Sequence, residues 1–302
     1  ADVLAQGPAT SEQLAVATGS HEPSLARLLR VLMAHGVVTR APGGQYRLTS
    51  EGASLRSGGA GLGDGLALLS QMFLRALPET AQSVRSGETA FTRLFGVPFY
   101  EHLAQHPEQE ASFGRTMGVI RSIAGRISDV YDFSGMGRLV DVGGGHGWRT
   151  IEALQANPTL YGVVFDRPGV VEHAAPALAA AGLAGRSEVV GGSFFDEVPG
   201  GGDCYLLSGV VFNWDDARAL DILGNVASAM PRHARVVLFE PMLPEGGGAH
   251  IAHTLDLLML VLLGGQARSA AQYVALFDQA GLRLERILAT PSPFSVIEAV
   301  GA

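Results

Sequence analysis

Residues 138–147 have the sequence Arg-Leu-Val-Asp-Val-Gly-Gly-Gly-His-Gly, and this stretch decides the fold of the chain. The apolar run that ends at Val142 predicts a buried strand, and the glycines after it predict a tight loop. Glycine lets the backbone turn sharply and come close to a ligand. A helix that opens after Gly147 would offer its first N–H groups to that ligand. The stretch therefore indicates a strand, a loop and a helix arranged around a bound molecule.

The pattern along the chain changes at about residue 135 to short apolar runs separated by helical segments. Such alternation predicts an α/β fold with a parallel, Rossmann-like sheet and right-handed crossovers, which we assign to residues 135–302. Sheets of this kind bind ligands at the carboxyl ends of their strands. The predicted strands are Arg138–Val142, Tyr161–Asp166, Ser187–Val190, Asp203–Ser208 and Arg235–Glu240.

The identity of the cofactor is indicated by the glycine loop together with Asp166, which ends the next predicted strand. A carboxylate there accepts hydrogen bonds from both hydroxyls of a ribose. A dinucleotide enzyme would carry the same pair, but its G-x-G-x-x-G pattern is not met, since Trp148 stands three positions after Gly145. The D-x-G-x-G-x-G form from Asp141 to Gly147 favours S-adenosylmethionine (SAM). The alternative is structural: the glycines make a turn and Asp166 caps a helix.

Residues 1–95 have the pattern of a mostly helical domain. Ser11 opens one predicted helix, and leucines recur at helical spacing from Pro23 until Gly36 ends a second helix. The residues Pro42-Gly43-Gly44 then predict a turn between two short strands. Two helices followed by a β-hairpin predict a winged-helix domain.

The pattern is helical from about residue 60 to 130, with Gly87 and Pro98 as breaks, and the segment 96–134 connects the two predicted domains. These helices either roof a pocket for a second ligand or serve only as packing elements. The sequence leaves both interpretations open.

Composition limits the partners of this chain. Its net charge is -8 and its pI is near 5.6, which argues against nucleic acid or an anionic membrane as a partner. The predicted recognition helix of the winged-helix domain lacks a basic face, since Arg27 and Arg30 are the only basic residues between Pro23 and Ala34. The single cysteine, Cys204, excludes an intrachain disulfide and a zinc cluster of thiolates. We expect a cytoplasmic protein without a membrane span, and a small-molecule partner.

Six motifs along the chain resemble class I SAM-dependent O-methyltransferases of the caffeic acid and acetylserotonin type. The likeness covers nearly the whole chain. In that family the N-terminal domain forms an intertwined dimer and roofs the acceptor pocket of its partner. The resemblance therefore implies a homodimer, a small aromatic acceptor, SAM as cofactor and S-adenosylhomocysteine (SAH) as product. The motifs are Asp141–Gly147, Phe165–Pro168, Gly191–Phe195, Trp214–Asp216, Phe239–Pro244 and Gly264–Ser269.

The resemblance also implies roles on the cofactor side. The glycine loop would hold the methionine end of SAM, Asp166 the ribose, and Phe194 the adenine. Two departures stand out, because the family usually has Asp at Ser193 and often Lys at Ser208. Serine still forms hydrogen bonds, so we expect weaker or rearranged contacts with SAM rather than loss of binding. The implied cofactor-binding residues are Asp141, Gly143, Gly145, Gly147, Asp166, Arg167, Ser193, Phe194, Ser208 and Trp214.

The acceptor side departs further from the family. The catalytic base of the family is a His directly before an Asp-Trp pair, and this chain has Phe212 followed by Asn213 and Trp214. The acid that orients the base is replaced by Ala267. Glu240 matches the other supporting acid, and the sequence leaves open whether it serves the site or the structure. The predicted catalytic residues are Asn213, Glu240 and His253.

A flat aromatic acceptor needs apolar walls, and the resemblance places Asp256 to Met259 beside the acceptor. This makes His253 the best replacement for the lost base among the histidines, although a surface or capping role is the usual one for each of them. A metal set of His250, His253 and Glu240 matches no strong zinc spacing, so no metal is predicted. The predicted substrate-binding residues are Phe99, Met117, Phe212, Asp256 and Met259.

The pair Phe212 and Asn213 is similar to the anthracycline-tailoring branch of the family, which contains methyltransferases and a hydroxylase. We therefore predict methylation of a hydroxyl or an activated carbon of an aromatic natural product such as a polyketide, by proximity and orientation. One alternative is a SAM-binding enzyme repurposed for hydroxylation or rearrangement. The other is an inactive dimeric scaffold.

The role of Asp166 can be tested directly. We expect Asp166→Ala to abolish SAM binding, because the ribose diol loses its charged acceptor. Calorimetric titration with SAM measures this loss, and an affinity equal to that of the wild type would refute the assignment.

Overall fold

The structure is a computed structural model that describes residues 1–57, 63–246 and 248–302. It divides into two compact units, Ala1–Gln71 and Met72–Ala302. The sequence pattern places its first boundary at about residue 95, because the helical period gives no signal of a break at Gln71. The helices after Met72 instead belong to the unit that contains the large sheet. The functional division into segments 1–95, 96–134 and 135–302 stays a prediction.

The first unit has the predicted order of helices and hairpin. Its second helix begins at Ser11, with Thr10 as the N-cap in a capping box with Gln13. Its strands pair antiparallel around a 3₁₀ turn at Pro42–Gly44. The elements are α1 (Asp2–Ala5), α2 (Ser11–Thr18), α3 (Glu22–Ala34), β1 (Val38–Arg40), β2 (Tyr46–Leu48) and α4 (Ser50–Ala53), followed by α5 (Gly63–Ala76), which runs into the second unit. A small core joins Leu4, Leu14, Leu29, Val38 and Tyr46.

The second unit opens with short helices that carry many aromatic side chains. Phe99 is buried and contacts the rings of Phe91 and Phe113, with centroids 5.1 and 5.2 Å away. Edge-to-face pairs of this kind stabilise the helices beyond the area that they bury. The helices are α6 (Thr80–Ser86), α7 (Ala90–Phe95), α8 (Phe99–Ala104) and α9 (Pro107–Ile123).

A seven-stranded sheet forms the centre of this unit, in the order β5-β4-β3-β6-β7-β9-β8. The five predicted strands are present and parallel, each within one residue of its predicted bounds. The strands are β3 (Arg138–Val142), β4 (Tyr161–Asp166), β5 (Ser187–Gly191), β6 (Cys204–Ser208), β7 (Arg235–Pro241), β8 (Leu282–Ala289) and β9 (Phe294–Gly301). The helices between them are α10 (Trp148–Ala156), α11 (Pro168–Val171), α12 (Ala174–Ala180), α13 (Asp216–Ala229), α14 (Ile251–Leu262) and α15 (Ala270–Gln279).

The edge formed by β8 and β9 is the part of the sheet that the sequence prediction lacks. Both pairings of β9 are antiparallel, with β7 on one side and β8 on the other. Strand β8 contains Arg283, Glu285 and Arg286, which interrupt the apolar run that marks a buried parallel strand. The predicted parallel sheet is thus present, with an antiparallel edge that the five predicted strands do not include. Among the described residues, no helix combines the length and apolar character needed to cross a bilayer.

The strand order reverses between β3 and β6, which places a crevice at their carboxyl ends. Both faces of the sheet are covered by buried side chains, as the long apolar strands require. One close contact fixes α10 on the sheet. A Cβ added at Gly162 of β4 would lie 2.5 Å from Thr150 Cγ2 of that helix. Thr150 in turn donates a hydrogen bond to Asp141 at the end of β3, 2.8 Å away.

Replacing glycine by alanine should change the free energy of unfolding in opposite directions at Gly162 and at Gly224. We expect Gly162→Ala to lower the free energy of unfolding by about 1–3 kcal/mol, because Thr150 is buried and cannot move away from the new methyl group. Gly224→Ala in α13, where a Cβ meets nothing within 4 Å, should raise it by up to about 1 kcal/mol. Urea unfolding of both variants checks the pair. Equal stabilities would contradict the proposed packing.

Candidate functional site

The glycine loop after β3 has no room for a side chain where it packs against Val210 and Asp141. Gly143 has a φ of 69°, and Gly145 and Gly147 are also in the left-handed region. A Cβ at Gly143 would lie 2.8 Å from Val210 Cγ2, and one at Gly144 would lie 2.9 Å from the Asp141 carboxyl carbon. The loop therefore forms a cradle of bare backbone at the edge of the sheet. Helix α10 follows directly, with Gly147 as an N-cap that offers no side chain.

Asp166 lies beside this cradle at the carboxyl end of β4. Its Oδ2 accepts a hydrogen bond from the Gly145 N–H at 2.8 Å, and its Oδ1 accepts one from the Arg167 N–H at 2.7 Å. The glycine loop and Asp166, which together predict a nucleoside cofactor, are therefore adjacent in the structure. Asp141 stays buried beneath the loop, where Thr150 holds it.

Ser208 and Ser193 mark the positions where the chain departs from the family on this side. The buried Arg149 of α10 donates to the Ser208 hydroxyl at 3.3 Å and also pairs with Glu152 at 2.8 Å. A guanidinium thus reaches Ser208, where the resemblance expects a lysine. The Ser193 hydroxyl accepts a hydrogen bond from the Phe195 N–H at 3.2 Å, so it stabilises its own loop.

Four aromatic rings, those of Phe194, Phe195, Trp214 and Tyr100, line the next part of the edge. Phe194 lies 3.5 Å from the Cβ position of Gly143, which places it against the glycine loop. Trp214 meets Phe195 edge-on at 4.8 Å and stacks on Tyr100 of α8 at 5.5 Å. The predicted adenine side is therefore an aromatic wall that continues into the helices above the sheet.

The segment Val211–Asn213 forms a 3₁₀ turn that presents the residues in place of the catalytic His-Asp pair. Phe212 is half-buried, and Asn213 is buried. The Asn213 amide donates to the Gly209 carbonyl and to the Tyr100 hydroxyl, both at 2.9 Å. The amide therefore links the turn to the helical segment.

Glu240, at the end of β7, holds the start of this turn. It is fully buried, and its Oε1 accepts the N–H groups of Val210 and Val211 at 2.8 and 2.6 Å. Its Oε2 accepts the Tyr273 hydroxyl at 2.8 Å. Burial raises the pKa of the Glu240 carboxyl above its ordinary value, against the lowering effect of Tyr273, the backbone N–H groups and Arg268. These contacts favour the structural role of Glu240 that the sequence leaves open.

Arg268 holds the other end of the turn. Its side chain is 1% exposed and donates to the carbonyls of Val211 and Trp214 at 3.3 and 3.0 Å. It also pairs with Asp216 at 2.8 Å. Gly265 of the same loop lies directly on the turn, since a Cβ there would be 2.2 Å from the Asn213 carbonyl carbon.

The remaining predicted site residues occupy different surroundings. Asp256 accepts the backbone N–H of Ala267 at 2.8 Å, so a carboxylate reaches the backbone of the residue that replaces the family acid. Met259 is buried, Met117 is half-buried, and His253 is exposed in the first turn of α14. Among the described residues, no three His, Cys, Asp or Glu side chains are grouped to hold a metal ion, so the alternative metal set is not assembled.

The geometry agrees with two family models. An O-methyltransferase domain matches residues 77–283, and an O-methyltransferase dimerisation domain matches residues 1–55. The chain is 39% identical over 301 residues to a phenazine O-methyltransferase, PhzM, of Lysobacter antibioticus, and the match covers 99% of this chain and 88% of that relative.

Solved structures show the same likeness. The crystal structure of LaPhzM matches with a TM-score of 0.95 and 38% identity, over 100% of this chain and 92% of that one. The O-methyltransferase NcsB1 from neocarzinostatin biosynthesis, in complex with SAM and 2-hydroxy-5-methyl naphthoic acid, matches with a TM-score of 0.85 and 36% identity, over 100% and 92% of the chains.

This chain therefore belongs to the SAM-dependent O-methyltransferase family. The predicted fold class, the methyltransferase activity and the cofactor are confirmed at the level of that family. The roles of the individual site residues stay predictions.

Four residues that shape the site lie outside the sequence prediction. Arg149 and Arg268 are buried cations, but each lies in a segment of mixed polarity, so no local pattern predicts its burial. Tyr100 and Tyr273 give no signal either, because buried tyrosines are common and only the fold places them beside Asn213 and Glu240.

The raised pKa of Glu240 predicts a pH dependence of stability. Since the folded state holds this proton more tightly than the unfolded chain, the free energy of unfolding falls as pH rises from the ordinary value of 4.5 towards the folded pKa. Relative to Glu240→Gln, which does not titrate, the wild type should lose about 1.4 kcal/mol per pH unit within that window.

Urea unfolding at a series of pH values measures this slope. The same substitution at the exposed Glu88 should keep the wild-type profile, because it leaves Glu240 unchanged. Parallel profiles for the wild type and Glu240→Gln would contradict the prediction.

Proposed function

We propose that this protein methylates a hydroxyl group on an aromatic natural product, and that it does so by orientation rather than by base catalysis. The observation that carries the proposal is the turn at Val211–Asn213. Glu240 holds the backbone at its start and Arg268 binds the carbonyls of Val211 and Trp214 on either side, yet the residue that it presents in the position of the family base is Phe212. The site is therefore built as a rigid frame without the usual proton acceptor.

The cofactor side fits SAM. The bare-backbone cradle of the glycine loop admits a close ligand, and the uncapped start of α10 suits the carboxylate of its methionine part. Asp166 would accept the ribose hydroxyls, and Phe194 would pack on the adenine. The bound cofactor supplies an electrophilic methyl group on a sulfonium.

The acceptor must then arrive as a nucleophile. Phe212 has no atom that accepts a proton, and the Asn213 amide does not act as a base at neutral pH. A general base typically contributes about 10²- to 10⁴-fold to a rate, whereas orientation in a closed site supplies several kcal/mol without proton transfer. An acidic phenol, ionised near neutral pH, meets this requirement, whereas a simple phenol does not.

The relatives support a fused-ring acceptor. PhzM is named for phenazine methylation, and NcsB1 holds a hydroxynaphthoic acid. In this chain the buried Phe99 and Met259 and the half-buried Phe212 would provide the apolar walls for a flat ring.

We also propose a homodimer through the N-terminal unit. The match of residues 1–55 to a dimerisation domain supports it. Exposed apolar side chains on α2 and α3 support it as well, since a second copy would remove them from water. These side chains are Val16, Leu28, Val31 and Met33.

The decisive experiment combines binding with acceptor acidity. Calorimetry with SAM and SAH tests the cofactor site, and mass spectrometry then follows methylation of a panel of hydroxynaphthoic acids, hydroxyphenazines and simple phenols. We expect a gain of one methyl group on acidic acceptors, with a rate that rises with pH in step with ionisation of the acceptor. Binding without methylation would favour the repurposed enzyme or the scaffold.

Phe212→His sharpens this test, because it restores a proton acceptor at the position of the family base. We expect little change in rate on an acceptor that is already ionised, and a gain of up to about 10²-fold on a neutral phenol. A large gain on the ionised acceptor would show that proton transfer limits the wild-type enzyme, against the proposal.

A further inference from the structure

A set of contacts above the cofactor edge has no role in the function proposed so far. Arg167 follows Asp166, and its guanidinium contacts two of the helices. It donates to the Tyr100 carbonyl of α8 at 3.2 Å and to Glu110 of α9 at 2.5 Å. The Glu110 side chain is 15% exposed, so the ion pair is better shielded than a surface pair. One residue therefore ties two helices to the sheet edge.

Tyr100 carries this connection to the acceptor side. Its ring stacks on Trp214, with centroids 5.5 Å apart and planes inclined by 29°. Its hydroxyl accepts the Asn213 amide at 2.9 Å, and the Arg167 guanidinium lies 6.0 Å from the ring centroid. The backbone of Tyr100 is thus held from the cofactor side while its side chain holds the turn.

We infer that Arg167, Glu110 and Tyr100 form a roof latch. It positions the turn at Asn213 and Trp214 relative to Asp166, whose carboxylate is proposed to bind the ribose. The inference rests on the proposed function, because the two sites that it aligns are the cofactor and acceptor sites proposed above. Arg167 is in this role a positioning residue, whose guanidinium acts on the helices and not on the cofactor. This differs from the cofactor contact that the family resemblance implies for it.

The alignment matters for an enzyme that lacks a base. Its rate depends on the distance and angle between the methyl group and the acceptor, and a displacement of about 1 Å costs on the order of 10²-fold. Asp166 ends β4 and the turn follows β6, and the latch connects them through hydrogen bonds and one stacked pair. The Asp166 carboxylate also accepts the backbone N–H of Arg167, so the latch begins at the side chain that is proposed to bind the ribose.

Trp214 gives the latch a spectroscopic signature. The chain contains two tryptophans, so Trp148→Phe leaves Trp214 as the sole indole. Tyr100 covers one face of this indole and Phe195 meets it edge-on. Acrylamide quenching of Trp214 fluorescence therefore measures whether the roof stays in place, and calorimetry with SAH measures the cofactor site separately.

We expect Arg167→Gln and Glu110→Gln, each in the Trp148→Phe background, to raise the quenching constant at least about two-fold, because the indole loses its cover. The affinity for SAH should stay within about three-fold of the background. The double variant should resemble either single one, since both break the same ion pair. Tyr100→Phe, which keeps the ring, should show a smaller rise.

A second arginine and glutamate pair provides the matched control. Arg138 and Glu188 also contact at 2.6 Å, at the amino ends of β3 and β5, away from the site. Arg138→Gln and Glu188→Gln should leave the quenching constant unchanged. Circular dichroism confirms that each variant is folded.

Two results would overturn the latch. One is quenching in Arg167→Gln and Glu110→Gln equal to that in the Arg138 control. The other is a loss of SAH affinity above about ten-fold in Arg167→Gln with no effect of Glu110→Gln, which would make Arg167 a cofactor ligand. If the unmodified protein does not bind SAH, the proposed function itself fails, and the inference that rests on it fails as well.

Discussion

Two buried charges hold the turn on which the acceptor side depends. Glu240 accepts the N–H groups at the start of the turn, and Arg268 donates to its carbonyls. A buried charge without partners would cost several kcal/mol, so each must keep its full set of hydrogen bonds. Tyr273 and Asp216 complete those sets. The main chain of the turn is therefore held at both ends, and the side chains of Asn213 and Trp214 add their contacts with Tyr100.

Under the proposed function, this arrangement orients an acceptor in a site that has Phe212 where the resemblance expects the family base. Orientation and proton transfer are separate contributions to a rate, so a site can keep the first without the second. On that proposal, the acceptor must reach the site already ionised.

Much of the fold follows from local patterns. The five parallel strands alternate with helices, and their apolar runs mark them to within a residue. Strands β8 and β9 are missed because charged residues interrupt their apolar runs, and the buried Glu298 of β9 forms ion pairs with Arg235 and Arg286. A pairing of that kind joins distant parts of the chain and leaves no periodic signal.

The candidate site is likewise only partly predictable from the sequence. The glycine loop and Asp166 can be recognised there, because their spacing has a direct physical meaning. Arg149, Tyr100 and Arg268 do not, since each acts on a residue far away in sequence. The side chain of Arg167 is recognised in the sequence, but its direction is set by Glu110, which no local pattern pairs with it.

The clamp on the turn has a consequence for how such an enzyme changes over generations. Because Glu240, Arg268 and Gly265 contact the main chain of the turn, a substitution at Phe212 removes none of those contacts. Folding therefore places little constraint on the side chain at this position. On the proposed function, a gene that gains a histidine there keeps a folded product and acquires a proton acceptor, so a single codon change opens the way to a new class of acceptor.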